Sequence, residues 1–225
     1  MSRVRIKYSK EEPVKYISHL DVLRVFNRAI RRAGLPVAYS QGFNPHPQIS
    51  FGLPLPVGYT SAAEYLEMEM DGEVDANKLI VQLNKEMPEG MRILKAVVLD
   101  DKDEKVSGII SMADYKVTVF LEEKFNGDLV QYVNHIMALD EVNVEKQGKK
   151  GTKKVNIRPN IYLLEVEEQQ EKMLILKMCL SAGSQSNLKP DLVLQALESL
   201  SESFRVEFFK VHRMKLLDRE GFEIM

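Results

Sequence analysis

A chain of 225 residues with 44% apolar residues, 28% charged residues and a formal net charge of -2 has the make-up of an ordinary soluble protein of one large or two small domains. No run approaches the roughly 18 apolar residues needed to cross a bilayer, and the opening "MSRVRIKYSKEE" has no apolar signal region; a cytoplasmic protein with no membrane association is expected. The single cysteine, Cys179 in "MLILKMCL", excludes an internal disulfide and cannot by itself hold a structural zinc or an iron–sulfur cluster, so it reads as a buried thiol.

In chain order, "VRIKYS" alternates and is rich in β-formers, which predicts a strand. "SHLDVLRVFNRAIRRAG" predicts a helix: Ser18 is a good N-cap, Asp21 supplies the acidic form of a capping box, Gly34 ends the helix and Pro36 prevents its resumption. "PQISFGLPL" and "SAAEYLEMEM" read as strands. "DANKLIVQLNKEM" reads as a helix with Leu79, Ile80 and Leu83 on one face, and "MRILKAVVL" as a fourth strand. The polar run "DDKDEKVSG" places a domain boundary near residue 105. A similar order then follows. "ADYKVTVFLE" is a strand and "NGDLVQYVNHIMAL" a helix; a basic hairpin is inserted over 142–157. "NIYLLEVEE" and "KMLILKMCLS" form a second hairpin, "KPDLVLQALESL" a helix and "FRVEFFKVHRMKLL" a last strand. The expected fold class is α+β: two tandem ferredoxin-like (βαββαβ) halves with antiparallel sheets, 1–105 and 106–225.

Charge is unevenly spread. Residues 1–63 carry a net +6 and the remainder -8, which points to a local anionic partner rather than to indiscriminate coating of nucleic acid. On a helical wheel Val22, Phe26, Ala29, Ile30 and Ala33 share the face to be buried, while Arg24, Arg28, Arg31 and Arg32 gather opposite. Like charges four residues apart repel by roughly 0.2–0.5 kcal/mol per pair, and only Asp21 is at hand as a counter-charge. The stripe is either an anion site, for which guanidinium forks suit phosphate oxygens, or a solvated face paired with carboxylates from elsewhere.

The segment "YSQGFNPHPQISFGLPLPVGYTSAAEY", Tyr39 to Tyr65, combines rings (Tyr39, Phe43, Phe51, Tyr59, Tyr65) with stiffening prolines and with the polar side chains of Ser40, Gln41, Asn44, His46 and Ser50. Rings beside basic groups are the usual platform for single-stranded or looped RNA; a rigid, well-packed loop is the structural alternative. His19 and His46 can be read as an acid–base pair for RNA cleavage, as metal ligands with Asp21, or as residues that merely bond locally and line the loop. Two weaker signals are the lysine-rich "QGKKGTKK" and the Gly/Ser loop "SAGSQSNLKPD", whose backbone N–H groups can face an anion. Nucleotide, serine-hydrolase and zinc-protease motifs are absent.

The motifs "SHLD", "RAIRRAGLP", "YSQGFNPHP" and "PLPVGYTSAAEY", and beyond them "NIRPNI" and "NLKPDLVLQAL", resemble those of a family of unknown function, the radical-SAM-linked proteins. Members are encoded beside, or fused to the C-terminus of, a radical SAM protein with a B12-binding-type domain. The resemblance implies a radical SAM partner. With one cysteine, against the three such a cluster needs, the chain itself holds no radical SAM cluster and no cofactor or metal is expected. The reading is therefore a non-catalytic RNA-binding or substrate-presenting partner in RNA modification, with tRNA or rRNA as ligand. Arg24, Arg28, Arg31 and Arg32 would hold phosphates, Tyr39, Phe43 and Tyr65 would supply rings, and Ser40, Gln41, Asn44 and His46 would supply polar contacts. The alternatives are an RNA-acting enzyme using His19, Asp21 or His46, and a module that only docks the partner protein.

Overall fold

A computed structural model describes residues 2–100, 102–148 and 151–225. The chain divides into two compact units, Met1–Ile110 with Lys215–Met225, and Ser111–Met214. The architecture is mixed α+β with antiparallel strand pairing. No helix among the described residues is long and apolar enough to cross a membrane.

The first unit contains β1 (Ser2–Lys10), α1 (His19–Arg32), β2 (Ile49–Phe51), β3 (Thr60–Met70), α2 (Ala76–Glu86), β4 (Met91–Leu99) and a single turn, α3 (Val106–Ile109). The strands run in the order β4-β1-β3-β2, each pair antiparallel. Alternation decides what is buried. Val4, Ile6 and Tyr8 of β1 and Leu66, Met68 and Met70 of β3 form one core with Val22, Phe26, Ala29 and Ile30 of α1 and Leu79 and Leu83 of α2. Ala33, expected on this face, is only half-buried, because α1 ends at Arg32 and Gly34 turns the chain at φ +64°. The strand expected over 47–55 shrinks to Ile49–Phe51, since Pro47, Pro54 and Pro56 have no N–H to give to a ladder.

The polar run after β4 is no linker. Arg5 and Glu67, both buried, lie on the sheet face away from α1; Arg5 Nε and Nη2 donate to Glu67 Oε1 at 3.0 and 2.9 Å. Val106 N–H donates to the same oxygen at 3.0 Å, and Arg5 Nη2 also donates to the Glu104 carbonyl at 2.7 Å. Burying this ion pair without those extra bonds would be costly, so the segment is pinned to the first unit, whose N-terminal part runs to Ile110. The C-terminal end, expected in the second half, also belongs to the first unit: Lys7 pairs with Glu223, and Leu217 bridges to Glu223.

The second unit contains β5 (Met112–Leu121), α4 (Leu129–Ala138), the hairpin β6 (Asn143–Gly148) and β7 (Gly151–Asn156), β8 (Ile161–Gln170), β9 (Met173–Ser181), α5 (Pro190–Leu200) and β10 (Val206–Leu217), of which the part up to Met214 lies in this unit. Its strand order is β10-β5-β9-β8, with β6 and β7 paired apart. Along β5 burial alternates without a break, from Ala113 through Tyr115, Val117 and Val119 to Leu121. Lys149 and Lys150, at the tip of the basic hairpin, lie outside the described residues.

Candidate functional site

The start of α1 is fixed by a reciprocal cap. Asp21 N–H donates to Ser18 Oγ at 3.2 Å, and Asp21 Oδ2 accepts from Ser18 N–H at 3.3 Å and from its hydroxyl at 2.6 Å. The other carboxylate oxygen accepts from Arg24 Nη1 at 2.8 Å. The Ser18 hydroxyl first, and the Arg24 guanidinium second, hold the Asp21 carboxyl below the usual carboxylate range. Farther along the helix Arg28, Arg31 and Arg32 are exposed, and among the described residues none of them has an ion-pair partner. The core on one side of α1 thus turns a row of guanidinium groups outward, and among the described residues only its first member meets a carboxylate.

Residues 38–48 form a small hairpin stitched to β3. Ala38 N–H donates to Glu69 O at 2.8 Å, Glu69 N–H to Gln48 O at 3.1 Å, and Gln48 N–H to Ala38 O at 2.8 Å. Tyr39 bridges to Pro47. Above that, Ser40 N–H donates to His46 O at 2.9 Å, His46 N–H donates to Ser40 Oγ at 3.2 Å, and the Ser40 hydroxyl meets His46 Nδ1 at 2.9 Å. Gln41, Phe43 and Asn44 are left at the tip, where Phe43 is 106% exposed. Gly42 takes φ +132°, a value side-chain-bearing residues rarely adopt. A braced turn that displays an aromatic ring and two carboxamides forgoes the roughly 1.5–3 kcal/mol that burying the ring would supply.

Several residues expected in the site have other duties. Tyr65 is 1% exposed; it alternates with Leu66 and so leaves the α1 side of the sheet, and burial drives its hydroxyl pKa upward. It is no stacking surface. Tyr59 is buried as well. His19 is exposed at the first position of α1 and meets Phe51 edge-on, with ring centroids 4.9 Å apart, whereas His46 is engaged by Ser40. The two histidines have different partners and Asp21 is committed to Ser18 and Arg24, so nothing in these contacts assembles an acid–base pair. Among the described residues no three His, Cys, Asp or Glu side chains are grouped to hold a metal ion.

Lys10 and Glu64 are buried charges that the sequence reading does not single out. Lys10 is 2% exposed, and its Nζ donates to the carbonyls of Lys15 (2.9 Å) and Ile17 (3.2 Å). Burial lowers its pKa and Glu64 works against that shift. Together with Tyr8, His19 and Phe51 the two line a cavity of about 10 Å³, room for one water. A signal did exist: Lys10 continues the Val4, Ile6, Tyr8 alternation, and Glu64 that of Leu66, Met68 and Met70.

In the second unit, the basic hairpin and the Gly/Ser loop contribute Glu145, Lys146, Ser184 and Asn187, among others, to one open polar cleft of about 630 Å³ at the start of α5. Cys179 is half-buried opposite Asp114; burial first, and Asp114 second, push its thiol up to about 12. It stays protonated near neutrality.

Residues 3–190 match the family described as "Uncharacterized protein conserved in bacteria (DUF2344)". The chain belongs to this family. No curated protein matches it. Among solved structures, a chain of "Crystal Structure of a Cbf5-Nop10-Gar1 Complex" is similar over 96% of this chain and 50% of its own length, at 10% identity and a TM-score of 0.54. A chain of "Structure of H/ACA RNP bound to a substrate RNA containing 2'-deoxyuridine" aligns at 8% identity with a TM-score of 0.48, over 97% of this chain and 49% of its own. Our chain thus spans about half the length of the solved chains it matches, and at this identity the likeness concerns the fold alone.

Proposed function

We propose that the chain is a non-catalytic RNA-binding protein that presents RNA to a radical SAM enzyme. The observation that carries the RNA reading is the exposure of Arg28, Arg31 and Arg32 on α1 without a carboxylate partner among the described residues. Guanidinium groups held outward by a packed helix bind phosphate oxygens through two parallel bonds. The braced hairpin adds what phosphate contacts lack: Phe43 and the half-exposed Tyr39 offer rings, and Gln41, Asn44 and His46 offer base-edge partners. The radical SAM partner rests on the sequence resemblance, and tRNA or rRNA is the expected ligand. We further infer that each unit is a ferredoxin-like half. The orders β4-β1-β3-β2 and β10-β5-β9-β8 support this, since each places the first and third sheet strands at the centre, once the inserted hairpin is set aside.

Fluorescence anisotropy with pooled tRNA and a structured rRNA fragment tests the RNA reading. The wild type is expected to bind, and a variant carrying Arg28→Glu, Arg31→Glu and Arg32→Glu to lose most of that affinity while unfolding like the wild type. Equal affinity of the two proteins overturns the assignment of the arginines. Co-purification with a radical SAM protein encoded beside the chain tests the partner; an equally clean separation of the two at low and moderate salt counts against it.

A further inference from the structure

Three large apolar side chains are exposed on the segments that meet where the chain enters α1: Tyr16 at 69%, in the preceding turn, Leu20 at 61%, in the first turn of the helix, and Val57 at 56%, next to Gly58, which bonds that turn. None belongs to the hairpin that displays Phe43. The backbone around Tyr16 is held from several directions. Lys10 Nζ bonds the carbonyls on both sides of it, those of Lys15 and Ile17. Gly58 N–H donates to the same Lys15 oxygen at 2.9 Å, and Ile17 N–H donates to Val14 O at 3.2 Å, closing a 3-10 turn over Val14–Tyr16. Lys15 is salt-bridged to Glu12, and its Nζ lies 4.9 Å from the centre of the Tyr16 ring. The ring edge comes within 3.9 Å of where a side chain at Gly58 would begin, and Gly58 itself sits at φ +88°. A buried lysine is a costly device; here it fixes the presentation of an exposed tyrosine.

The surroundings decide what the ring receives. Leu20, Arg24, Arg28 and Arg32 follow at intervals of four residues, a row along one side of α1 with steps of about 6 Å. The patch therefore leads straight into guanidinium groups, with the Lys15 ammonium beside the ring. A polyanion that also has flat apolar faces fits this combination. An apolar segment of a protein fits the three apolar residues but not the cationic row.

We propose that Tyr16, in an exposed apolar neighbourhood with Leu20 and Val57, is a stacking platform for an unpaired nucleobase, and that the ligand is single-stranded or looped RNA whose phosphates follow Arg28 and Arg32 down that row. The inference rests on the RNA reading above and narrows it: a duplex keeps its bases stacked on one another and has none to offer the ring.

The test uses a ten-nucleotide single-stranded RNA with one 2-aminopurine and a ten-base-pair RNA duplex, against the wild type, Tyr16→Phe, Tyr16→Ala and the triple arginine variant. The platform predicts that Tyr16→Ala weakens single-strand binding about tenfold, the loss of one stacked base, and abolishes the change in 2-aminopurine emission. Tyr16→Phe keeps both signals, and duplex affinity is the same for Tyr16→Ala as for wild type. The triple arginine variant loses affinity for both RNAs. If Tyr16→Ala binds the single strand as tightly as wild type while the arginine variant does not, the platform is overturned and the RNA reading stands. If the wild type binds neither RNA, both are overturned and the patch is left to a protein partner.

Discussion

The ε-amine of Lys10, at the inner end of β1, donates to the carbonyl of Lys15 at 2.9 Å from a position that is 2% exposed. One buried charge thereby joins the first strand to the turn that leads into α1, holding the backbone on both sides of Tyr16. Ser18 then caps the helix, and the apolar stripe of Val22, Phe26, Ala29 and Ile30 fixes its rotation. The arginine row faces outward as a consequence of packing on the other side.

Replacing that lysine is expected to be expensive. In Lys10→Met the Ile17 carbonyl loses its donor, at a cost of about 1–3 kcal/mol, while the Lys15 carbonyl keeps the bond from Gly58 N–H, and Glu64 loses its neighbouring cation. Urea unfolding should show a lower midpoint with an unchanged slope. The pH dependence has a definite sign. Because burial lowers the folded pKa of Lys10, the wild type is penalised while the amine is protonated and gains stability as pH rises from that lowered value toward the ordinary lysine value of 10.5. Lys10→Met should not show this gain.

At the helix start, Ser18→Ala removes the acceptor for Asp21 N–H and should cost about 1 kcal/mol in thermal or urea unfolding. Asp21 adds a pH signature. Its folded pKa is depressed by Ser18 and Arg24, so its contribution is complete above the unfolded carboxylate pKa and is lost as pH falls through the lower folded value. Asp21→Asn should flatten that part of the acid limb.

Phe43 and Phe26 are the same residue type with opposite expectations. Phe26 is 0% exposed and touches Tyr8 and Phe51, with ring centroids 4.9 and 5.8 Å away. Phe26→Ala should cost about 3–5 kcal/mol. Phe43→Ala should change stability by less than about 0.5 kcal/mol and yet weaken RNA binding. A Phe43→Ala protein that unfolds early, or binds RNA like the wild type, would contradict its role as a displayed ring.

Cys179 should be inert in the folded protein. With its thiol pushed up to about 12 from 9.0, the reactive thiolate is on the order of a thousandfold scarcer than for a free cysteine. Maleimide labelling at pH 8 should be slow in buffer and fast in denaturant. Rapid labelling under native conditions would contradict the raised pKa of this half-buried thiol.

The sequence was most readable where a single periodicity was at work. Ser18 and Gly34 bracket α1, the wheel separates Phe26 from Arg28, and "ADYKVTVFLE" reads as the strand that β5 is. It was least readable where distant groups decide. Nothing local to "DDKDEKVSG" shows that Val106 N–H completes the Arg5–Glu67 pair, which is 39 residues away at its nearer member. Tyr65 reads as a site residue because the motif around it is rich in rings, although its alternation with Leu66 already separates it from the core on the α1 side. Lys10 and Glu64 illustrate the converse: their polarity masks an inward position in the strand.

The central claim is that the unpaired arginines of α1 hold RNA phosphates, and the dependence of binding on salt tests it most directly. The affinity of the wild type for a single-stranded RNA should fall linearly on logarithmic axes as salt increases. The Arg28→Glu, Arg31→Glu, Arg32→Glu variant should show a shallower slope, by about 0.7 for each phosphate contact removed. Wild type and variant lines of equal slope would contradict the claim, because the same number of phosphates would then be neutralised without those side chains.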